Sequence, residues 1–168
     1  MTTFKTLAFA PAAIALAALT PFAAAHAGES GDDIVVTSSG EMKAWQEDTT
    51  RSLDRALQRS PFERTATPGS GIVQVSFSIG ADGRPDNVEI YDSTANWSAD
   101  RSAMYAVRRL GDISDVPVSN PGEVQFLANI IFAQDEAEHD KLAAKLARSE
   151  ATRLASGTPA STYIALGR

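Results

Sequence analysis

The chain has 168 residues, a formal net charge of −6 and no cysteine. This length suits one domain with extensions. The acidic balance argues against nucleic acids and anionic membranes as partners, because both are bound through basic patches. The absence of cysteine excludes disulfides, thiolate catalysis and thiolate metal sites.

Residues 1–27 have the pattern of a secretory signal peptide. Lys5 supplies the basic start, an alanine- and leucine-rich run follows, and Ala25-His26-Ala27 fits the small-x-small cleavage rule. This pattern predicts export to a periplasm through a cleavable signal. The alternative is an uncleaved anchor in the inner membrane, facing the periplasm, since the apolar run approaches the roughly 20 residues that span a bilayer.

The first predicted helix covers residues 41–59, where Trp45, Thr49 and Leu53 recur at helical spacing. Before it, residues 34–37 form a short β-prone island, Ile-Val-Val-Thr, between polar neighbours. Proline and glycine in residues 61–71 end the helix and lead to the next element.

A β-hairpin is the strongest local signal. Val73, Val75, Phe77 and Ile79 alternate with polar residues, which predicts a strand with one buried face. Asp82-Gly83 supplies the turn, and a second alternating strand follows with Pro85 at its beginning, where the missing N–H does least harm.

A helix, a strand and a long helix are predicted after the hairpin. Ser98 is a candidate N-cap, and apolar residues then recur at helical spacing up to Leu110. Residues 124–132 alternate again and predict a third strand. Residues 135–155 are helical by composition, with a thin apolar stripe that fits a mostly solvated helix or a docked arm. Residues 162–166 either add a short strand or stay loose.

The residues offer little for catalysis or metal binding. Only one histidine, His139, lies beyond the signal segment, and no G-x-S-x-G elbow or G-K-[ST] phosphate loop is present. We therefore expect no enzyme activity, no catalytic residues, no metal site and no cofactor.

The hairpin with its Asp82-Gly83-Arg84-Pro85 turn, the D-x-x-A-x-x-A-V helix that begins at Asp100, and the closing strand follow one another in a distinctive order. Over residues 70–133 this order resembles the TonB C-terminal domain family, the periplasmic part of TonB-type energy transducers. The resemblance implies an α+β fold with a small antiparallel sheet of about three strands on one or two helices, and here a long C-terminal helix is added. The implied domains are residues 1–27 as signal, 28–69 as N-terminal extension, 70–133 as TonB-like domain and 134–168 as helix and tail.

The family's implied role is protein binding in receptor-coupled transmembrane transport. Such domains take up the TonB box of an outer-membrane TonB-dependent receptor as an added β-strand, which requires a strand edge with unpaired backbone groups. We expect that edge in residues 123–132. The expected peptide-binding residues are Val124, Phe126, Ala128 and Ile130.

A second resemblance concerns residues 33–37. Asp33, Ile34, Val35, Val36 and Thr37 resemble a TonB box, so the chain's own N-terminal strand is a candidate ligand for its own domain or for another transducer. The alternative is that this segment is a β-prone patch or a first strand of the protein's own sheet.

The chain departs from the transducers because it lacks their long proline-rich spacer and continues beyond the last strand. Inner-membrane motor proteins are therefore expected as partners only if the N-terminus is an uncleaved anchor. The alternative function is an envelope scaffold, in which the same fold forms a homodimer through exposed strand edges.

Overall fold

The structure, a computed structural model, describes residues 39–61 and 68–167. The helices and strands occur in the order α1 Ser39–Gln58, β1 Gly71–Ile79, β2 Pro85–Ser93, α2 Trp97–Arg108, β3 Phe126–Phe132, α3 Glu136–Ala155 and β4 Ile164–Leu166. The expected α+β class is confirmed. The predictions for the signal segment and for residues 34–37 lie outside the described residues.

The strands form one sheet in the order β2-β1-β3-β4. β1 is central and antiparallel to β2 and to β3. The predicted hairpin is confirmed, as is the antiparallel pairing that the resemblance implied. β4 pairs with β3 in parallel, so the sheet is mixed and has four strands instead of about three. The tail therefore adds the short strand that was one of its two predicted alternatives.

The turn between β1 and β2 is stabilised locally. The N–H of Gly80 donates to the carbonyl of Arg84 at 2.8 Å, and Gly83 has a φ of 77°. A Cβ at Gly83 would also collide with the carboxylate of Asp112. Glycine is favoured at this turn because it adopts a positive φ without a steric penalty.

One face of the sheet packs against α1 and α2 and forms the main core. Phe77 and Phe126 stack with their ring centroids 5.3 Å apart, and Trp45 of α1 lies 5.6 Å from Phe126. The indole N–H of Trp45 donates to Asp115 at 3.1 Å, so the buried ring keeps a hydrogen-bond partner. Each large side chain buried in this way contributes about 1.5–3 kcal/mol to folding.

The N-cap of α2 differs from the prediction. Asn96, not Ser98, caps the helix, and its side chain accepts a hydrogen bond from the N–H of Ala99 at 3.0 Å. The helix thus begins at Trp97, and Ser98 is a buried residue of its first turn. An asparagine satisfies the free N–H groups of a helix start as well as a serine does.

The expectation that β1 buries only one face is wrong, because α3 covers the other face. Gln74 lies on that face with 5% exposure, between Asn129 of β3 at 2.7 Å and Glu150 of α3 at 3.0 Å. Arg153 forms an ion pair with Glu150 at 2.7 Å, and their side chains are 8% and 15% exposed. α3 is therefore a docked helix whose buried residues are Leu146 and Arg153, although most of its surface is exposed.

None of the helices in residues 39–61 and 68–167 combines the length and apolar character needed to cross a membrane.

Candidate functional site

The predicted binding residues lie in or beside β3, with their side chains turned to the core. Phe126, Ala128 and Ile130 are buried in the main core cluster. Val124 precedes the strand, is half-buried, and its N–H donates to the carbonyl of Pro121 at 3.3 Å. A ligand beside β3 would therefore meet the strand's backbone, while these side chains hold the strand in place.

β3 is not the edge of the sheet, which corrects the expectation for residues 123–132. It lies between β1 and β4. Phe126 pairs with Ile164, Leu127 with Ala165 and Ala128 with Leu166. The side of β3 expected to be open is covered in its first half by the chain's own C-terminal strand.

β4 is short but well anchored by its apolar side chains. Leu166 is 1% exposed and belongs to the main core, and half-buried Ile164 packs against the same core. Ala165 lies between them, and successive side chains of a strand point to opposite faces. The strand therefore presents two branched aliphatic residues, two positions apart, to one face.

Two side chains of α1 bond to the backbone of β4 and of the residue that follows it. Gln46 donates from its side-chain amide to the carbonyl of Ala165 at 2.9 Å. The N–H of Gly167 donates to the hydroxyl of Thr50 at 3.2 Å. These bonds occupy backbone groups on the outer side of β4 that could otherwise pair with another strand.

The chain leaves β4 at Gly167, directly beside β3. Gly167 has a φ of 84°, and a Cβ there would collide with the backbone carbonyl of Asn129. The pairing with β4 ends at Ala128, so the rest of β3, from Asn129 to Phe132, has no strand partner on this side within the described residues. Within the described residues, β3 is thus paired with β4 in its first half and has no strand partner on the same side in its second half.

The opposite edge of the sheet, at β2, is poorly suited to a further strand. Pro85 lacks an N–H, and Asn87 has a left-handed φ of 50°. Arg108 of α2 donates to the carbonyl of Val88 at 3.4 Å. Proline, irregular backbone and charge are common features that protect edge strands from pairing.

Sequence reasoning did not identify Gln46, Thr50 or Gly167 as part of this site. Gln46 and Thr50 each follow a buried residue of α1, Trp45 and Thr49, and only their meeting with β4 gives them a role. No spacing signal links residues more than 100 positions apart. The TonB-box-like residues 34–37 lie outside the described ranges, so their predicted role stays a prediction.

No protein-family model matches the chain, and no curated protein matches it in sequence. The solved structures include a match to the solution structure of the TonB C-terminal domain of Helicobacter pylori. The two chains are 23% identical, the match covers 60% of this chain and 95% of the other, and the TM-score is 0.38.

Proposed function

We propose that this chain is a TonB-like protein-binding module of the periplasm, which takes up an extended peptide of the acidic-Ile-Val-Val-Thr type beside β3. The sequence motifs of residues 70–133 support the first part of the proposal. The observation that carries the second part is the pairing of β4, a strand of only three residues, with the side of β3 that faces away from β1.

Capture on β3 requires an exchange of strands. β4 pairs with Phe126, Leu127 and Ala128, so an incoming peptide can use the whole strand only after β4 has left. Each backbone hydrogen bond contributes about 0.5–1.5 kcal/mol net. The backbone bonds of a three-residue strand therefore bind β4 to β3 only weakly. Burial of Leu166 adds about 1.5–3 kcal/mol. A peptide that also pairs with Asn129–Phe132 would gain hydrogen bonds that offset the free energy lost when β4 leaves.

The side chains of β4 indicate which peptide fits. Ile164 and Leu166 stand two positions apart on the core-facing side. In a peptide with the order Ile-Val-Val-Thr, the first and third residues are branched and apolar at the same spacing. These residues would replace Ile164 and Leu166, because alternate residues of a strand share one face.

α1 would form hydrogen bonds with the backbone of the incoming strand, as it does with β4 and Gly167. Gln46 supplies an amide donor and Thr50 a hydroxyl acceptor to the outer side of the paired strand. Both groups interact with backbone, so they do not depend on the sequence of the peptide. Specificity then comes from the core-facing positions, and affinity comes partly from α1, as in other cases of strand addition.

The ligand is proposed to be the TonB box of an outer-membrane receptor, or residues 34–37 of this chain itself. The chain would act in receptor-coupled transport after export through its N-terminal segment. Intact-mass measurement tests the export step: a mature chain beginning at Gly28 is expected, and a chain that keeps Met1 in the membrane fraction would contradict cleavage.

The binding test is calorimetric titration of the chain with the synthetic peptide Asp-Asp-Ile-Val-Val-Thr. A scrambled peptide of the same composition is the control for charge and apolarity. Binding is expected for the ordered peptide only, and deletion of residues 32–37 should strengthen it if the chain's own segment competes. Absence of binding by both chains would contradict strand capture. A stable dimer in that case would favour the scaffold alternative.

A further inference from the structure

A basic groove lies between α1 and α2, away from the β3–β4 edge. Its volume is about 430 Å³. Ser52, Arg55 and Arg59 line it from α1 and the residue after that helix, at positions i, i+3 and i+7, and Tyr105 and Arg109 line it from α2 and its C-cap. Side chains at these spacings share a helix face. Three arginines therefore line one groove of a chain whose net charge is −6.

Of the described residues that line the groove, none is Asp or Glu. Arg55 donates to the carbonyl of Arg51 at 3.3 Å and to the hydroxyl of Ser52 at 3.0 Å, and neither acceptor carries a charge. The guanidinium carbon of Arg109 lies 5.2 Å from the ring centroid of Tyr105, which orients this cation without cancelling its charge.

Helix ends do not explain this concentration of arginine. A basic residue in the last turn complements the negative end of the helix dipole. Arg55 meets that need in α1 and Arg108 meets it in α2. Arg59 and Arg109 add further positive charge to the same groove, where like charges disfavour one another.

We propose that this groove binds a phosphomonoester dianion. A guanidinium is a rigid planar fork that donates two parallel hydrogen bonds to phosphate or carboxylate oxygens. Three forks from two helices suit the three terminal oxygens and double charge of a phosphomonoester better than the two oxygens of a carboxylate. The three arginines are exposed, so the affinity is weak and depends on salt. This site goes beyond peptide capture and does not depend on it.

Titration of the full chain with inorganic phosphate at constant ionic strength tests the proposal, with nitrogen–proton spectra of the arginine side chains as the readout. Saturable shifts of Arg55, Arg59 and Arg109 are expected, with a dissociation constant of about 0.1–10 mM. Arg109→Gln should weaken binding at least about fivefold. The matched control is Arg148→Gln, an exposed arginine of α3 outside the groove, which should leave binding unchanged.

Vesicles distinguish the two sources of such a ligand. If phosphate binds and vesicles with phosphatidic acid also retain the chain, while vesicles with phosphatidylglycerol do not, the ligand is a lipid headgroup. If phosphate binds and neither vesicle retains the chain, the ligand is a soluble phosphomonoester. Absence of saturable shifts with phosphate, or equal binding by the Arg109→Gln and Arg148→Gln chains, would overturn the proposal. Arg55→Gln provides a second variant if Arg109→Gln alters the spectrum of the whole fold.

Discussion

Leu166 of β4 pairs with Ala128 of β3 in parallel register, and both residues belong to the main core. The C-terminal strand of the chain thus occupies the side of β3 where an added peptide strand was expected. Its removal and replacement determine whether the proposed capture takes place.

Gly167→Ala should release β4. Gly167 has a φ of 84°, and a Cβ would also collide with the carbonyl of Asn129, so the variant cannot keep the present backbone. Hydrogen exchange of the amides in β4 should become at least about tenfold faster, while exchange in β1 stays slow.

The matched control for this change is Gly157→Ala. Gly157 also has a left-handed φ, of 63°, but a Cβ there meets no atom within 4 Å. Alanine should therefore cost only the conformational penalty of about 1–2 kcal/mol and leave β4 protected. Equal exchange of β4 in the two variants would contradict the role of the Asn129 contact.

Arg153→Ala should lower the free energy of unfolding by about 3 kcal/mol. The substitution leaves the carboxylate of Glu150 without its cation on the sheet-facing side of α3, beside Gln74. Chemical denaturation measures the change. Leu154→Ala is the control on the same helix, because Leu154 is 59% exposed and its truncation should cost less than about 0.5 kcal/mol. Equal effects of the two changes would show that α3 is not anchored by this ion pair.

Ala128→Pro should prevent cooperative folding. Ala128 lies in an interior strand between Val75 and Leu166, where a proline ring and a missing N–H disturb the sheet. Ala128→Gly keeps the N–H and should only weaken the strand. Circular dichroism during thermal unfolding separates the two variants. A folded proline variant of normal stability would contradict the interior position of β3.

The carboxyl of Asp112 should titrate below its usual range. Its pKa is lowered mainly by the hydroxyl of Ser114, which donates at 2.6 Å, then by the N–H of Ser114 at 3.0 Å, and by the charge of Arg84. A lowered pKa stabilises the folded state above the unfolded pKa, and this contribution is lost as pH falls through the folded value. Ser114→Ala should raise the pKa toward its usual range. A carboxyl titration by NMR that is the same in both chains would contradict this cause.

The sequence was sufficient to predict the elements whose patterns are local. Alternation identified β1, β2 and β3, and helical spacing identified α1, because each repeats its pattern over many residues. β4 has three residues, too few for alternation to separate a strand from a loose tail. β4 can pair in parallel with β3 only because α3 connects the two strands and brings the chain back to the sheet. No local sequence pattern predicts this path.

The polar contacts between distant elements could not be predicted. Gln74 and Glu150 are polar residues that sequence reasoning assigns to solvent, yet they bond to each other, Gln74 also bonds to Asn129, and Glu150 pairs with Arg153. The same applies to Gln46, whose amide meets a carbonyl of the tail. The basic groove likewise joins Arg55 and Arg109 from two helices. Each of these residue pairs is brought together only by the packing of distant elements.

Hydrogen exchange of the β4 amides with and without the peptide Asp-Asp-Ile-Val-Val-Thr tests the central claim most directly. If the peptide replaces β4, exchange of Ile164 and Leu166 should accelerate on binding, while Val73 and Val75 in central β1 keep their protection. Binding of the peptide with β4 still fully protected would contradict strand exchange on β3.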